Sequence, residues 1–358
     1  MDRIFRYGIL LGVLATGSCV ARACDLCGCY TPQIEAMPQS AEENGFGEPS
    51  PSTAKTNSWL ERAYFAFAEQ FTYFNTVQFD GREISNPTDQ YLASSITQLV
   101  AGYSFTPRFA LQVNVPLIYR SFKRPDGFAI DRGTEGGFGD VSLLGKFVLF
   151  HHQSGGSRSV NFDDPKNPRM EVHEPDFTAS ALLLGGVKLP TGGTSRLKEE
   201  FKEVEVPGAP QSGIHGHDLT LGTGSYDGIF GGQTSLRYKD FFFQADGQFV
   251  LRGDGAHEYH FANDISWSGG PGYYLVRKPD AIVGLQLAVS GEHKDVDRFR
   301  GKPAEDTGIT SVFLGPRAVA SLGKWSGELG IELPVSIDNT ALQVVPDYRI
   351  RASIAVRF

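Results

Sequence analysis

Alternation of apolar and polar residues is the feature of this chain that most restricts its fold, and it recurs in stretches of about ten residues from Leu60 onward. Between residues 348 and 358, alternate positions carry Tyr, Ile, Ala, Ile, Val and Phe, whereas three of the intervening positions carry Arg. Successive side chains of a β-strand point to opposite faces, so this period predicts strands with one apolar and one polar face. A strand of a water-soluble sheet shows the same period, so one segment alone does not decide the environment.

Repetition of the pattern favours a membrane barrel over a soluble sheet. The alternation returns in residues 111–120, 241–252, 281–292, 310–322 and 327–337. The polar faces of these segments carry charges and amides, which a protein core accommodates only when they are paired. A closed barrel turns its apolar face to lipid and its polar face to a wet lumen. We therefore expect an all-β chain that forms a transmembrane antiparallel up-and-down β-barrel.

The lengths of the connections give a second indication. The sequence predicts tight turns at 106–108, 239–240, 277–280 and 323–324, and longer polar links near 79–90, 121–137, 191–216, 253–257, 293–307 and 338–346. Short and long connections alternate when one set faces the periplasm and the other faces the cell exterior. Counting the segments gives about twelve strands, an even number that returns the C-terminus to the periplasm. Residues 151–174 form a long link where a short turn is expected, so either the count is wrong there or the chain has an insertion.

The N-terminal region predicts export. Residues 1–23 combine a positively charged start, a short apolar stretch and an A-x-A cleavage site, which is the pattern of a secretory signal peptide. The competing interpretation is a lipoprotein acylated at Cys19 or Cys24. Residues 24–58 are rich in Pro, Ser, Glu and Asn and are expected to form a flexible leader, and residues 59–358 are expected to form the barrel.

Composition narrows the function. The net charge of −8 provides no basic surface, so we expect no nucleic-acid partner. All four cysteines lie within the first 29 residues, so the predicted barrel has no disulfide framework.

The cysteines Cys24, Cys27 and Cys29 are the most specific local signal. Three thiols this close together bind one soft metal ion, or form a disulfide with one thiol left over. Gly28 follows Cys27, so the C-x-x-C-H pattern of haem attachment is absent. A metal or redox site at these cysteines and an exported disulfide or processing remnant both stay open, and we expect no other cofactor.

Two histidine pairs, His215 with His217 and His257 with His260, resemble fragments of metal or hydrolytic sites. Each pair offers too few ligands for a metal site, and no serine nucleophile motif accompanies either of them. We interpret these histidines as polar residues of loops at the barrel rim, and we expect no enzymatic activity.

Three glycine-rich segments carry a family resemblance: 136–147, 185–192 and 221–227. The first and the last precede no helical pattern, which argues against phosphate-binding loops and favours bulges or close packing of strands. In this order the three segments resemble an outer-membrane transporter family associated with the meta-pathway of phenol degradation, over roughly residues 90–358. The resemblance implies passive passage of small, aromatic or hydrophobic molecules through the bacterial outer membrane, and it assigns no catalytic residue. The Cys cluster and the 151–174 link depart from the family.

The first functional hypothesis is therefore an outer-membrane channel. Both charge signs occur on the predicted lumen face, so strong ion selectivity is not indicated. The candidate pore-lining residues are Gln112, Asn114, Arg120, Asp140, Lys146, Lys188, Asp246, Arg252, Gln286, Arg317 and Glu332.

The alternative is a non-conducting binding or scaffold barrel whose Cys cluster binds metal or a redox partner. In either case we expect contact with outer-membrane lipid. The channel hypothesis adds a small-molecule permeant. We also expect the barrel assembly machinery to engage the C-terminal strand, which ends in Phe358.

Overall fold

The computed structural model describes residues 59–155, 157–161, 169–173, 175–203, 206–278 and 280–358. Within these residues the chain is mostly β. The strands are β1 (Ala63–Phe79), β2 (Arg82–Ile84), β3 (Tyr91–Thr106), β4 (Phe109–Asp126), β5 (Ala129–Phe138), β6 (Ser142–Ser154), β7 (Ser157–Asn161), β8 (Arg169–His173), β9 (Phe177–Lys188), β10 (Asp227–Tyr238), β11 (Phe241–Leu251), β12 (Tyr259–His260), β13 (Asp264–Lys278), β14 (Ala281–Lys294), β15 (Asp297–Phe299), β16 (Lys302–Ala304), β17 (Ile309–Leu322), β18 (Trp325–Asn339) and β19 (Leu342–Arg357).

The described helical segments are single turns, at Trp59–Arg62, Ser195–Lys198, Gly216–Leu219 and Glu305–Thr307. None of them has the length and apolar character needed to cross a membrane. The predicted signal peptide, leader and cysteine cluster lie outside the described residues.

The main sheet closes into a ring because β19 pairs with β1, from Tyr64 opposite Arg357 to Phe79 opposite Leu342. The order around the ring is β1, β3, β4, β6, β9, β10, β11, β13, β14, β17, β18 and β19, and neighbours are antiparallel. β4 pairs on the same edge with two strands in succession. Its residues 109–114 pair with β6, and its residues 117–126 pair with β5. The prediction of a twelve-stranded antiparallel barrel is confirmed.

The predicted alternation of connections defines the two ends of the barrel. The short turns after β3, β10, β13 and β17 lie at one end, where the Phe358 N–H also donates to the Ala63 carbonyl at 3.3 Å. By the rule of short inner turns this is the periplasmic end. The longest described extracellular connection, residues 189–226, joins β9 to β10.

Two of the predicted extracellular links are wrong in extent. The 121–137 region is mostly a hairpin of β4 and β5 that turns at 127–128, and β18 and β19 leave only residues 340–341 between them, instead of 338–346. Above the membrane both faces of a hairpin meet water, so its strands do not need the apolar alternation by which the other strands were recognised.

The irregular link at 151–174 is an insertion and not a miscount. β6 continues through His151 and His152 to Ser154, and β7 and β8 then form a separate hairpin with Ser157 opposite His173. β6 and β9 still pair directly, so the ring is unchanged. The insertion extends the periplasmic turn between them.

Burial follows the two-residue period along the ring strands. In β1, Phe65 and Phe67 are 50% and 48% exposed, whereas Ala66 and Ala68 are buried. The outward faces together form an apolar band, and aromatic pairs such as Phe65 with Phe358 lie near its periplasmic edge. A band of this kind meets the hydrocarbon of a bilayer, while the inward faces are shielded from it.

We predict that Leu285→Arg destabilises the barrel by about 2–4 kcal/mol, because it places a cation on the outward face within the apolar band. Leu322→Arg is the matched control. Leu322 also faces outward but is the last residue before a periplasmic turn, so its replacement should cost only about 0–1 kcal/mol. Urea unfolding in liposomes measures both variants, and equal losses would contradict the assignment of the band.

Candidate permeation path and its extracellular lid

The structure places the predicted pore-lining residues on the inward side of the barrel. Asp140 lies between β5 and β6, and Arg252 directly follows β11 at the extracellular end. Asp246 is partly buried, and the other side chains of the set are buried. Whether they line a conducting pore stays a prediction. Those on ring strands are Gln112, Asn114, Arg120, Lys146, Lys188, Asp246, Gln286, Arg317 and Glu332.

One part of the inward wall is ionic. Glu332 of β18 lies 3.0 Å from Arg317, 3.8 Å from Arg349 and 3.7 Å from Arg351, and it accepts a hydrogen bond from Ser290 Oγ at 2.6 Å. These side chains come from β14, β17, β18 and β19, and the pairing register of these neighbouring strands places them side by side. Glu292 lies 2.9 Å from Arg349, and Glu328 lies 3.7 Å from Arg317, so three carboxylates face three guanidinium groups in this wall.

The wall formed by β1, β3 and β4 carries amides and hydroxyls instead. The Tyr64 hydroxyl donates to Gln112 Oε1 at 2.8 Å, and Gln112 Nε2 donates to Asn114 Oδ1 at 2.6 Å. Arg351 Nε donates to Gln70 Oε1 at 2.9 Å, which joins this wall to the ionic one across the β1–β19 seam. The inward surface is thus polar on both sides and carries charges of both signs.

The three glycine-rich segments of the sequence converge on Asp140. Its Oδ1 accepts the Gly192 N–H at 2.8 Å, and its Oδ2 accepts the N–H and the hydroxyl of Thr223 at 2.8 and 2.9 Å. A Cβ built on Gly222 would lie 2.7 Å from both Gly192 and Asp140 Oδ1, so only glycine permits this approach. The sequence showed the motifs but gave no sign that they meet at the extracellular mouth.

A second group of charged side chains holds the connection between β9 and β10 to the barrel wall. Lys188 Nζ lies 3.1 Å from Asp227, and Arg252 lies 2.9 Å from the same carboxylate and also binds Asp264. The Ser225 hydroxyl donates to Asp227 Oδ1 at 2.6 Å. Both ends of the 189–226 connection are therefore held at the barrel rim by buried ion pairs.

The middle of this connection folds into the mouth of the barrel, and we refer to its described residues, 189–203 and 206–226, as the lid. Ile214 and Leu219 pack against inward residues that include Phe74 and Phe122. Their exposed fractions are 1% and 0%. The Arg120 guanidinium also donates to the carbonyl of Thr220. The lid therefore covers the extracellular mouth of the barrel in this structure.

Two histidines of the lid stack under its outer surface. The rings of His215 and His217 are 5.6 Å apart and nearly parallel, and His217 also stacks on Tyr259 at 5.7 Å. His217 Nδ1 lies 3.1 Å from Glu200, and His215 Nε2 lies 3.2 Å from Asp306. The lid histidines thus join two parts of the lid to each other and to the neighbouring extracellular loop.

Neighbouring carboxylates decide the protonation of these histidines. Burial lowers their pKa values, but Asp218 and Glu200 outweigh it and raise the pKa of His217 well above its usual value. Glu203 likewise helps to raise the pKa of His215. Burial raises the pKa of Glu200, but the two histidines outweigh it and bring this pKa to about 2. The closed lid therefore favours charged histidines and charged carboxylates.

In the structure, the contacts of His257 and His260 differ from those of His215 and His217. His257 Nε2 lies 3.4 Å from Thr194 Oγ1, and His260 Nδ1 lies 3.3 Å from the exposed Asp254. The described residues contain no cluster of three or more His, Cys, Asp or Glu side chains suited to a metal ion. Cys24, Cys27 and Cys29 lie outside those residues, so the metal or redox hypothesis stays a prediction.

Comparison with known proteins gives a fold and no family. No protein-family model matches the sequence. No curated protein matches it either. The chain is similar to a crystal structure of an outer membrane channel from Pseudomonas putida F1, with a TM-score of 0.52, 12% identity, and coverage of 86% of this chain and 100% of that one.

Two further structures are less similar. The β-domain of the Bordetella autotransporter BrkA gives a TM-score of 0.39 at 13% identity, covering 83% of this chain and 100% of that one. The CymD monoaromatic hydrocarbon channel gives 0.33 at 7% identity, covering 83% and 88%. The similarity to the Pseudomonas channel shows the fold of an outer-membrane β-barrel, and the outward apolar band agrees with that fold. The resemblance to the phenol-pathway family stays a prediction.

The lid should loosen at both ends of the pH range. The contribution of the histidines is complete below their free pKa of 6.5 and is lost as pH rises through their raised values. The contribution of Glu200 is complete above its free value of 4.5 and is lost as pH falls towards about 2. Hydrogen exchange of residues 206–219, expressed at each pH as protection relative to the intrinsic rate, measures this, with the highest protection between those limits.

Removing His217 should weaken the loss of lid protection that is expected as pH rises above 6.5. His217→Gln is expected to speed exchange at pH 6 and to weaken its pH dependence. His260→Gln is the control, because His260 is 38% exposed at its side chain and its only ion pair among the described residues is with exposed Asp254. An unchanged profile in His217→Gln would show that the lid does not depend on this ring.

Glu332→Leu should destabilise the barrel by about 3–5 kcal/mol, since it removes the buried carboxylate that Arg317, Arg349 and Arg351 share. Glu328→Leu removes a carboxylate with a single described ion pair, 3.7 Å from Arg317, and should cost less. Denaturant unfolding in liposomes compares the two, and a loss in Glu332→Leu no larger than in the control would contradict the role given to the ionic wall.

Proposed function

We propose that this chain is an outer-membrane channel for passive passage of small molecules, closed in this structure by the lid. The observation that carries the proposal is a closed barrel with a polar inward face whose mouth is covered by a loop. A structural barrel needs no such face, because an apolar core stabilises a protein equally well. The polar inward face instead suits a lumen that holds water.

The permeants we propose are small, aromatic or hydrophobic molecules. Beneath the lid, the inward faces of β1, β3 and β4 carry Phe74, Leu92, Ile96, Ile118 and Phe122. A permeant that displaces the lid would therefore meet this apolar surface before it reaches the amides Gln112 and Asn114. The sequence resemblance supports the same class of molecule.

The proposed path follows the residues that the sequence indicated. Asp140, Lys188 and Arg252 would lie at the entrance, next to the lid. The amides Gln112 and Asn114 would lie farther along, on the wall that adjoins the ionic one across the β1–β19 seam. No step of this path involves a chemical reaction of the permeant.

A non-conducting binding or scaffold barrel is the second candidate, and the ionic wall favours it. Arg349 and Glu332 are each only 1% exposed. Charges this deeply buried make a lumen rigid, and a rigid, filled lumen suits a scaffold. Conductance separates this candidate from the first.

We further propose that barrel assembly acts through the C-terminal strand. β19 closes the ring against β1, so it is the strand whose pairing completes the barrel. Phe358 contacts Phe65 at the periplasmic edge, with ring centroids 5.9 Å apart. An assembly factor in the periplasm would meet this residue first.

Planar-bilayer recording of the full mature chain tests the channel proposal. We expect brief openings in the native chain and a several-fold longer open time in Ile214→Asp, because a charge cannot stay in the apolar contact that holds the lid. Val206→Asp, in the same loop but 41% exposed, is the control and should behave like the native chain. Silence of both the native chain and Ile214→Asp would reject the channel and favour the binding barrel.

A further inference from the structure

A carboxylate on the inward face of β11 forms no ion pair with any described residue. Asp246 is directly opposite Gln233 of β10 and Ser268 of β13 in the two ladders, so all three side chains lie on the lumen side. The Ser268 hydroxyl donates to Asp246 Oδ1 at 2.7 Å. This hydrogen bond orients the carboxylate but does not neutralise its charge.

The charges of the ionic wall do not balance Asp246. Arg317 and Arg351 are close enough to act on it electrostatically, but they lie 3.0 and 3.7 Å from Glu332. Glu328 acts on Asp246 with the opposite sign. The three guanidinium groups of the wall already face three carboxylates. Asp246 and the ionic wall together therefore carry four carboxylates against three guanidinium groups, which leaves one negative charge in excess.

Two amide oxygens on the same inward surface accept no hydrogen bond from the described residues. They are Gln233 Oε1 and Gln286 Oε1, and their side chains are buried. Gln286 Nε2 donates to the Gly270 carbonyl at 2.9 Å. Because Gly270 is the next inward residue of β13 after Ser268, this contact places the Gln286 amide beside the pair of Asp246 and Ser268. A buried acceptor without a donor is costly, so both oxygens suit a ligand that carries N–H groups.

The lumen has room beside these groups. Ser235, Gln244, Asp246 and Ser268 are partly exposed although they lie on the inward face. The opposite face of the wall meets lipid, so their exposure is to the lumen. Gly270 adds no side chain to this surface. We refer to Asp246, Ser268, Gln233 and Gln286 as the Asp246 site.

A primary ammonium group matches the chemistry of the Asp246 site. Such a group carries one positive charge and three N–H donors. The site offers one unbalanced negative charge and three acceptor groups, which are the carboxylate and the two amide oxygens. Hydrogen bonds between an ammonium and a carboxylate are among the strong ones in proteins. A neutral hydroxyl brings one donor and no charge, so it would satisfy the site less well.

We propose that the Asp246 site binds the primary ammonium group of a small aromatic or hydrophobic amine. This inference rests on the proposed channel and narrows the class of its permeant. The apolar surface beneath the lid suits the hydrocarbon part of such a molecule, whereas a hydrated metal ion would cross that surface unfavourably. Asp246 lies in the middle of β11, so the amine would reach the site after it passes the lid.

Saturation-transfer NMR of the full mature chain in detergent micelles tests the site with benzylammonium chloride at pH 8, where a carboxyl is ionised and a primary amine is charged. Benzyltrimethylammonium, which has no N–H, and benzyl alcohol, which has no charge, should bind at least about tenfold more weakly. Asp246→Asn should weaken benzylammonium binding by a similar factor. Glu69→Gln is the matched control, because Glu69 lies on the lipid-facing side of β1 and bonds to Ser95, and it should bind like the native chain.

Gln233→Leu gives a second test, since it should weaken the binding of benzylammonium severalfold and leave that of benzyltrimethylammonium unchanged. Folding of each variant is checked by its heat-dependent mobility in gels, and the titration is repeated in Ile214→Asp so that a closed lid does not prevent entry. Equal affinity in folded Asp246→Asn, displacement by an equal concentration of potassium, or absence of saturable binding in both the native chain and Ile214→Asp would overturn the proposal. Silence in planar bilayers would reject the channel alone, because binding is measured here without conduction.

Discussion

Pairing of the first ring strand with the last is the interaction on which the rest of this structure depends. In hydrocarbon an unpaired backbone N–H or C=O costs several kcal/mol, so a sheet can cross a membrane only when it has no free edge. The ladder between β1 and β19 removes that edge over the whole height of the wall. Closure also separates an inside from an outside. The same alternation that exposes Ile350 to lipid then directs Arg349 and Arg351 inward.

The barrel could be predicted from the sequence because its determinants are local. A two-residue period and the spacing of turns depend on neighbours along the chain, and both are visible in residues such as 281–292. The β4–β5 hairpin was missed because strands above the membrane lack an apolar face. The convergence of Gly192, Thr223 and Asp140 was missed because it depends on the path of a long connection across the mouth.

The lid and the wall beneath it combine two kinds of contact. Ile214 and Leu219 hold the lid through buried apolar contact, while His217 with Glu200 and Arg252 with Asp227 hold it through charge. Apolar contact depends little on pH, whereas the histidine contribution is lost as pH rises through the raised pKa values of the two rings. A loop held in both ways can loosen at one set of contacts without losing the other. This is the property that a gated entrance requires, and it connects the fold to the proposed channel.

Site-directed spin labelling along β14 tests the central claim, that one face of each ring strand meets lipid and the other meets an enclosed polar lumen. Nitroxides placed singly at positions 283 to 288 would be exposed to dissolved oxygen and to a water-soluble nickel reagent. The account predicts high oxygen accessibility at 283, 285 and 287 and low values at 284, 286 and 288, in agreement with the exposure of Leu285 and the burial of Gln286. Uniform oxygen accessibility along the strand, or nickel accessibility highest at 285 and 287, would contradict it.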